Sequence, residues 1–91
     1  MNLEELRQKI NQIDDELIKL LEKRMELVSK VAVYKLKTGK AVLDSKREET
    51  ILNKVAETVE SPVYKDAVVN TFTDVMKHSR AFQERQIRQT R

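Results

Sequence analysis

Cysteine and tryptophan are both absent from the chain. Without Cys there is no disulfide scaffold, no thiolate zinc site and no Cys nucleophile. One Gly and one Pro are too few to punctuate a many-stranded sheet, which needs turn residues at regular intervals. Nothing approaches the ~18 successive apolar residues that a membrane span requires. The opening Met1-Asn2-Leu3-Glu4-Glu5 lacks the basic-then-apolar order of a signal peptide, so a cytoplasmic protein is the expectation. What is present is modest in length. The chain has 91 residues, which bounds it to a single domain, 1–91. Its 18 Lys+Arg nearly balance 15 Asp+Glu, for a net charge of +3 with 36 % of residues charged. Long solvated helices have this composition. Only the end is uneven: Lys77 to Arg91 holds five Lys/Arg and one acid, Glu84. A solvated helix end accounts for it, since cations suit that end of the dipole. Contact with nucleic acid or acidic lipid is the rival.

The hydrophobic period is helical throughout. Leu3, Leu6, Ile10, Ile13, Leu17 and Leu20, then Leu27, Val31 and Tyr34, step by threes and fours. Gly39 supplies a stop, because glycine readily takes the left-handed conformation that closes a helix. A first helix over about Leu3 to Thr38 follows, with Lys40 to Leu43 as a short link. Asp44 and Ser45 are both N-cap types. Ser45 with Glu48 three residues on reads as a capping box. The second helix carries Ile51, Leu52, Val55 and Val59 on its apolar face. Ser61-Pro62 is another start, an N-cap followed by Pro at the first helical position. The third helix runs to about Gln86, with Val63, Ala67, Val68, Phe72, Val75, Met76 and Phe82 on one side. The expected fold is all-α, three helices per chain, the first very long.

That first helix is too long for its own chain to cover. Thirty-six residues at 1.5 Å each make about 54 Å. A compact chain of this size has a diameter of about 30 Å. The apolar stripe persists nearly end to end, and large exposed apolar strips are rare in monomers. An intertwined helical homodimer is the simplest expectation, because two-fold dimers are the commonest oligomers.

Polar residues interrupt the apolar faces. The series Leu3, Ile10, Leu17 continues at Arg24 and then Val31. A guanidinium in an apolar stripe is expensive unless something anionic meets it. Lys35 lies eleven residues on, near three full turns, so it shares nearly the same face about 16 Å away. An ion pair with an acid of the second or third helix, or snorkelling of the long stems, would explain each cation singly. On the third helix the inner face of Phe72, Val75 and Met76 continues with Ser79 and then Gln83, four apart and pointing the same way. Buried Ser and Gln need partners, which a backbone carbonyl or each other could provide. Asp44, Arg47 and Glu48 add two carboxylates and a guanidinium beside the first helix stop. Arg7 stands 17 residues before Arg24, about 25 Å along the same helix. It cannot reach the same pocket within one chain, though an antiparallel dimer would bring it to the partner's. A surface pairing with Glu4 is the plainer account.

Arg7, Arg24, Lys35, Asp44, Arg47, Glu48, Ser79 and Gln83 together describe a pocket for a small dianion that also carries a hydroxyl. Arg pairs carboxylates bidentately. His78, beside Ser79 in the chain, points about 100° away from it and toward solvent. No His/Cys/carboxylate cluster has metal-ligand spacing. Without a nucleophile, the chemistry must work by positioning and electrostatics.

At these positions the sequence resembles the all-helical class of chorismate mutases. Leu6-Arg7-Gln8-Lys9-Ile10, Ile13-Asp14 and Leu20-Leu21-Glu22-Lys23-Arg24 are similar to that family's opening. Val31 to Lys35, Asp44-Ser45-Lys46-Arg47-Glu48, and Ser79 with Gln83 continue the likeness, which spans about Leu3 to Ile87. The resemblance implies conversion of chorismate to prephenate on the route to Phe and Tyr, by a one-substrate Claisen-type rearrangement without cofactor. It implies Arg24 and Ser79 on one carboxylate. Arg7 of the partner subunit and Arg47 then engage the other carboxylate or its surroundings. Lys35 and Gln83 donate to the ether oxygen as the catalytic pair, and Glu48, with the Asp44 region, receives the ring hydroxyl. Two equivalent sites per dimer follow.

Three rivals stand beside this reading. A lyase of the same fold acting on isochorismate would use a similar cationic pocket and release pyruvate. A non-catalytic module binding chorismate or prephenate would associate with another enzyme of the shikimate pathway. A nucleic-acid binder is disfavoured by 4 % aromatics and by cations on inward rather than exposed faces. A membrane partner is not expected.

Overall fold

A computed structural model describes residues 1–90 of the chain. Three helices make up its regular structure: α1 (Leu3–Thr38), α2 (Ser45–Thr58) and α3 (Pro62–Thr90). Among the described residues no helix is long and apolar enough to cross a membrane. Arg91, the last of the basic residues counted above, lies outside the described residues.

Local chemistry sets each boundary. Asn2 caps α1, its side chain accepting from the Glu5 amide at 2.8 Å. Glu4 and Glu5 in the first turn and Lys35 and Lys37 in the last complement the helix dipole. Gly39 ends the helix at φ 73°, and both its own amide and that of Lys40 donate to the Lys35 carbonyl. The two bonds converge on one carbonyl: the Lys40 amide makes the six-residue return of a Schellman end, and the Gly39 amide the shorter return of the left-handed cap. Asp44, rather than Ser45, caps α2: its Oδ1 accepts from the Arg47 amide at 3.0 Å. The expected capping box therefore does not form, and the Glu48 carboxylate is directed elsewhere. α3 starts at Pro62 as expected but continues to Thr90, one turn past Gln86. Its last turn carries the half-buried Ile87 and no Gly or Pro to stop the helix.

α3 is the central element, packed against both α1 and α2. Ala32 and Met76 are the fully covered apolar residues, and Val28, Ile51, Phe72 and Phe82 are half-buried around them. The first half of α1 has no such cover. Ile10 is 54 % exposed, Ile13 65 % and Leu17 48 %, so an apolar strip runs out along a chain measuring 53 × 25 × 14 Å. The 53 Å axis matches the helix length expected from residue count, and the radius of gyration of 16.2 Å exceeds the ~12 Å of a compact chain of this size.

Gly39 has nothing within 4 Å of where a Cβ would sit, so a substitution there meets only the cost of positive φ. Gly39→Ala should lower the unfolding free energy by about 1 kcal/mol, read from urea denaturation. Unchanged stability would mean that the helix end rearranges without loss.

Candidate active site

The three helices and the link after Gly39 line an open-sided cavity of about 240 Å³ with a polar-rich wall. α1 contributes Arg24 and Lys35 to its wall, with Val28 and Val31 between them. The α1–α2 link and the first turns of α2 contribute Val42, Asp44, Arg47 and Glu48. α3 contributes Met76, Ser79, Arg80 and Gln83. Seven of the eight residues singled out in the sequence thus share one cavity. Arg7 does not: it lies on the exposed first turns of α1, about 25 Å along the helix from Arg24. His78 is exposed and outside the wall.

Each polar group has a local reason for its place. Arg24 meets no carboxylate among the described residues. Its Nη1 donates to Ser79 Oγ at 2.6 Å, and that hydroxyl donates in turn to the Val75 carbonyl at 2.8 Å. Ser79 is buried and both of its capacities are used. Arg24 keeps its other donors, since a guanidinium carries five. Lys35 Nζ donates to the Val42 carbonyl at 2.6 Å, which ties α1 to the link and leaves two ammonium protons. Gln83 is buried at 7 % exposure, and its Oε1 has no partner among the described residues. Leaving a buried carbonyl unpaired costs about 1–3 kcal/mol. An amide offers an acceptor oxygen and, once rotated, a donor nitrogen at that place in the wall.

Arg80 is the wall residue that sequence reasoning missed. It forms an ion pair with Glu48, the two side chains 29 % and 22 % exposed. In the sequence it fell among the basic residues of the chain end. Its register was the available signal: it stands one residue after Ser79 and three before Gln83, at the border of the inward face.

A second, larger cavity of about 440 Å³ adjoins the first and shares Arg24, Arg47 and Ile51 with it. The rest of its wall includes the apolar Val55, Val59, Val68 and Phe72. Among the described residues no three His, Cys, Asp or Glu side chains come together as a metal site.

Residues 6–84 match the family model for chorismate mutase type II. The chain belongs to the type II chorismate mutase family. It is accordingly an enzyme, an isomerase with chorismate mutase activity. A relative from Methanocaldococcus jannaschii, named chorismate mutase, is 29 % identical over 89 residues, covering 97 % of this chain and 90 % of that protein. The match runs through all three helices and includes every residue of the polar cavity wall.

The unpaired amide of Gln83 gives this mutase a measurable signature. Gln83→Met, similar in volume and without the polar atoms, should stabilise the fold by about 1 kcal/mol while damaging turnover. Urea denaturation checks the first effect. A destabilised variant would show that the amide is satisfied in the folded protein.

Proposed function

We propose that the polar cavity is the chorismate site and that its wall residues carry out the rearrangement to prephenate. The carrying observation is the convergence of Arg24, Lys35, Arg47, Ser79 and Gln83, from all three helices, on one small cavity. Chorismate is a dianion with a ring hydroxyl and an ether link to an enolpyruvyl arm. In its transition state the C–O bond of that ether lengthens while a C–C bond forms, and negative charge builds on the ether oxygen. Arg24, already oriented by Ser79, is placed to hold one carboxylate. Arg47 engages the other. Lys35 and the Gln83 amide nitrogen donate to the ether oxygen, the lysine supplying the charge. Glu48, beside Asp44, accepts from the ring hydroxyl. No proton is transferred and no covalent intermediate forms. The site gains rate by holding the arm over the ring and by donors fixed in advance of the charge they meet.

The working form in this reading is an intertwined homodimer. The uncovered strip of Leu6, Ile10, Ile13 and Leu17 supports it, as does the larger apolar cavity beside the substrate site. In such a dimer the first half of α1 from the partner crosses the open side of the site and delivers Arg7 to a carboxylate there. Exclusion of water from the cavity then depends on assembly.

Purified protein mixed with chorismate should consume it at an enzymatic rate and yield prephenate. Pyruvate as product would instead indicate lyase chemistry. Lys35→Ala should fold normally, by helical circular dichroism, and lose kcat by about 10²–10³-fold. Turnover near that of the parent protein would sink the assignment of Lys35.

The shared site makes a separate prediction. Arg7→Ala and Lys35→Ala homodimers should each be nearly inactive. Mixing and exchanging their subunits creates hybrids in which one site holds both lesions and the other holds neither. Recovery of up to half the parental activity per hybrid is expected. Absence of recovery, with subunit exchange verified by mass spectrometry, would exclude a site built from two chains.

A further inference from the structure

Arg80 raises a question that the proposed roles leave open. Its guanidinium sits in the cavity wall, yet its observed partner is a carboxylate of the protein, Glu48 Oε1. The second oxygen of Glu48 has no protein partner among the described residues. Three other cations, Arg24, Lys35 and Arg47, share the wall with Glu48. A carboxylate on a flexible stem among several cations has several competing pairings. Pairing with Arg24 or Lys35 would neutralise the groups needed for a substrate carboxylate and for the ether oxygen. Arg80 removes that competition. It lies on α3, one residue past Ser79, whereas Arg24 and Lys35 belong to α1.

We infer that Arg80 is a positioning residue, which holds Glu48 by one oxygen so that the other is presented to the ring hydroxyl of the substrate. This rests on the reading of Glu48 as the hydroxyl acceptor. The pairing is also economical in charge. The wall of one chain holds Arg24, Lys35, Arg47 and Arg80 with Asp44 and Glu48. Pairing Glu48 with Arg80 leaves Arg24, Lys35 and Arg47 uncommitted to it. Burial matters too. Both partners are less than one-third exposed, so the pair is less screened than a surface bridge, and a charged donor confines the carboxylate more than water would.

The test compares steady-state kinetics of the parent protein with Arg80→Gln, Arg80→Lys, Glu48→Gln and the Arg80→Gln/Glu48→Gln double variant. Inhibition by a chorismate analogue lacking the ring hydroxyl is measured alongside. Arg80→Gln should raise KM for chorismate roughly tenfold with a much smaller change in kcat, the pattern of lost ground-state binding. Affinity for the analogue should be unchanged, because the hydroxyl contact is the one disturbed. Arg80→Lys should recover most of the loss, and the double variant should be no worse than Glu48→Gln alone. Equal weakening of chorismate and analogue would overturn the inference and place Arg80 on a substrate carboxylate. A change in folding stability with unaltered KM would reduce the pair to a structural bridge. The two readings separate cleanly. If Glu48→Gln raises KM but Arg80→Gln does not, the positioning role alone fails. If Glu48→Gln leaves KM unchanged, the hydroxyl role of Glu48 fails and the inference falls with it.

Discussion

A 36-residue helix carries one apolar strip, and only its second half has anything from its own chain to rest on. This mismatch of length organises the rest of the molecule. α3 lies along the C-terminal half of α1 and also packs against α2, so whatever the three helices enclose must form near that end. The cavity is there. The opposite end of α1 leaves Leu6, Ile10, Ile13 and Leu17 uncovered. In the proposed dimer those two facts are one: the half that lacks cover in one chain is what closes the open side of the site in the other. Folding and completion of the site would then be coupled, since the same apolar surface drives both.

The cost of placing polar groups in so small a core decides where stability gives way to chemistry. Ala32 and Met76 are the fully covered apolar residues, while Ser79 and Gln83 are buried beside them. Ser79 is reconciled by two hydrogen bonds, one from Arg24 and one to the Val75 carbonyl. Gln83 Oε1 finds no partner among the described residues. Burial without a partner opposes folding, and in the proposed site the same amide would be desolvated before substrate arrives. A group in that condition gains more from meeting a ligand than one still bonded to water. Lys35 is intermediate, tethered to the Val42 carbonyl but with protons to spare.

The helices were legible because their signals are local. The threefold and fourfold spacing from Leu3 to Tyr34 and the single glycine at 39 define α1 to the residue. Arg24, Lys35, Ser79 and Gln83 were legible as polar interruptions of apolar faces, and the structure brings all four to one wall. Competition was harder to read. Asp44 and Ser45 are both good caps, and only the backbone at Asp44, with φ −122° and ψ 88°, decides between them. That choice frees Glu48 from the capping box and lets it meet Arg80, a contact across 32 residues that no local pattern contains. The bond from Lys35 to Val42 was hidden for another reason: its acceptor is a backbone carbonyl, and a sequence carries no mark for it. The end of α3 was misplaced because Ile87 is the one apolar residue of its final turn, and a single apolar residue sets no period.

The missing residue types bear on the chemistry as well as on the fold. An acyl or phosphoryl transfer would call for a nucleophile or a base, and neither Cys nor a His in the cavity is on hand. A rearrangement within one molecule makes no such demand. It asks that two ends of a flexible dianion be brought together and that one oxygen gain charge in a place prepared for it. Cations held by neutral partners suit that task. Arg24 is oriented by a hydroxyl and Lys35 by a carbonyl, so both are fixed in place with their full charge available. Had each been paired with a carboxylate, the same geometry would have presented dipoles instead of charges. Among the described residues the wall cation with a carboxylate partner is Arg80, which in the proposed site serves Glu48 and leaves the substrate to the others.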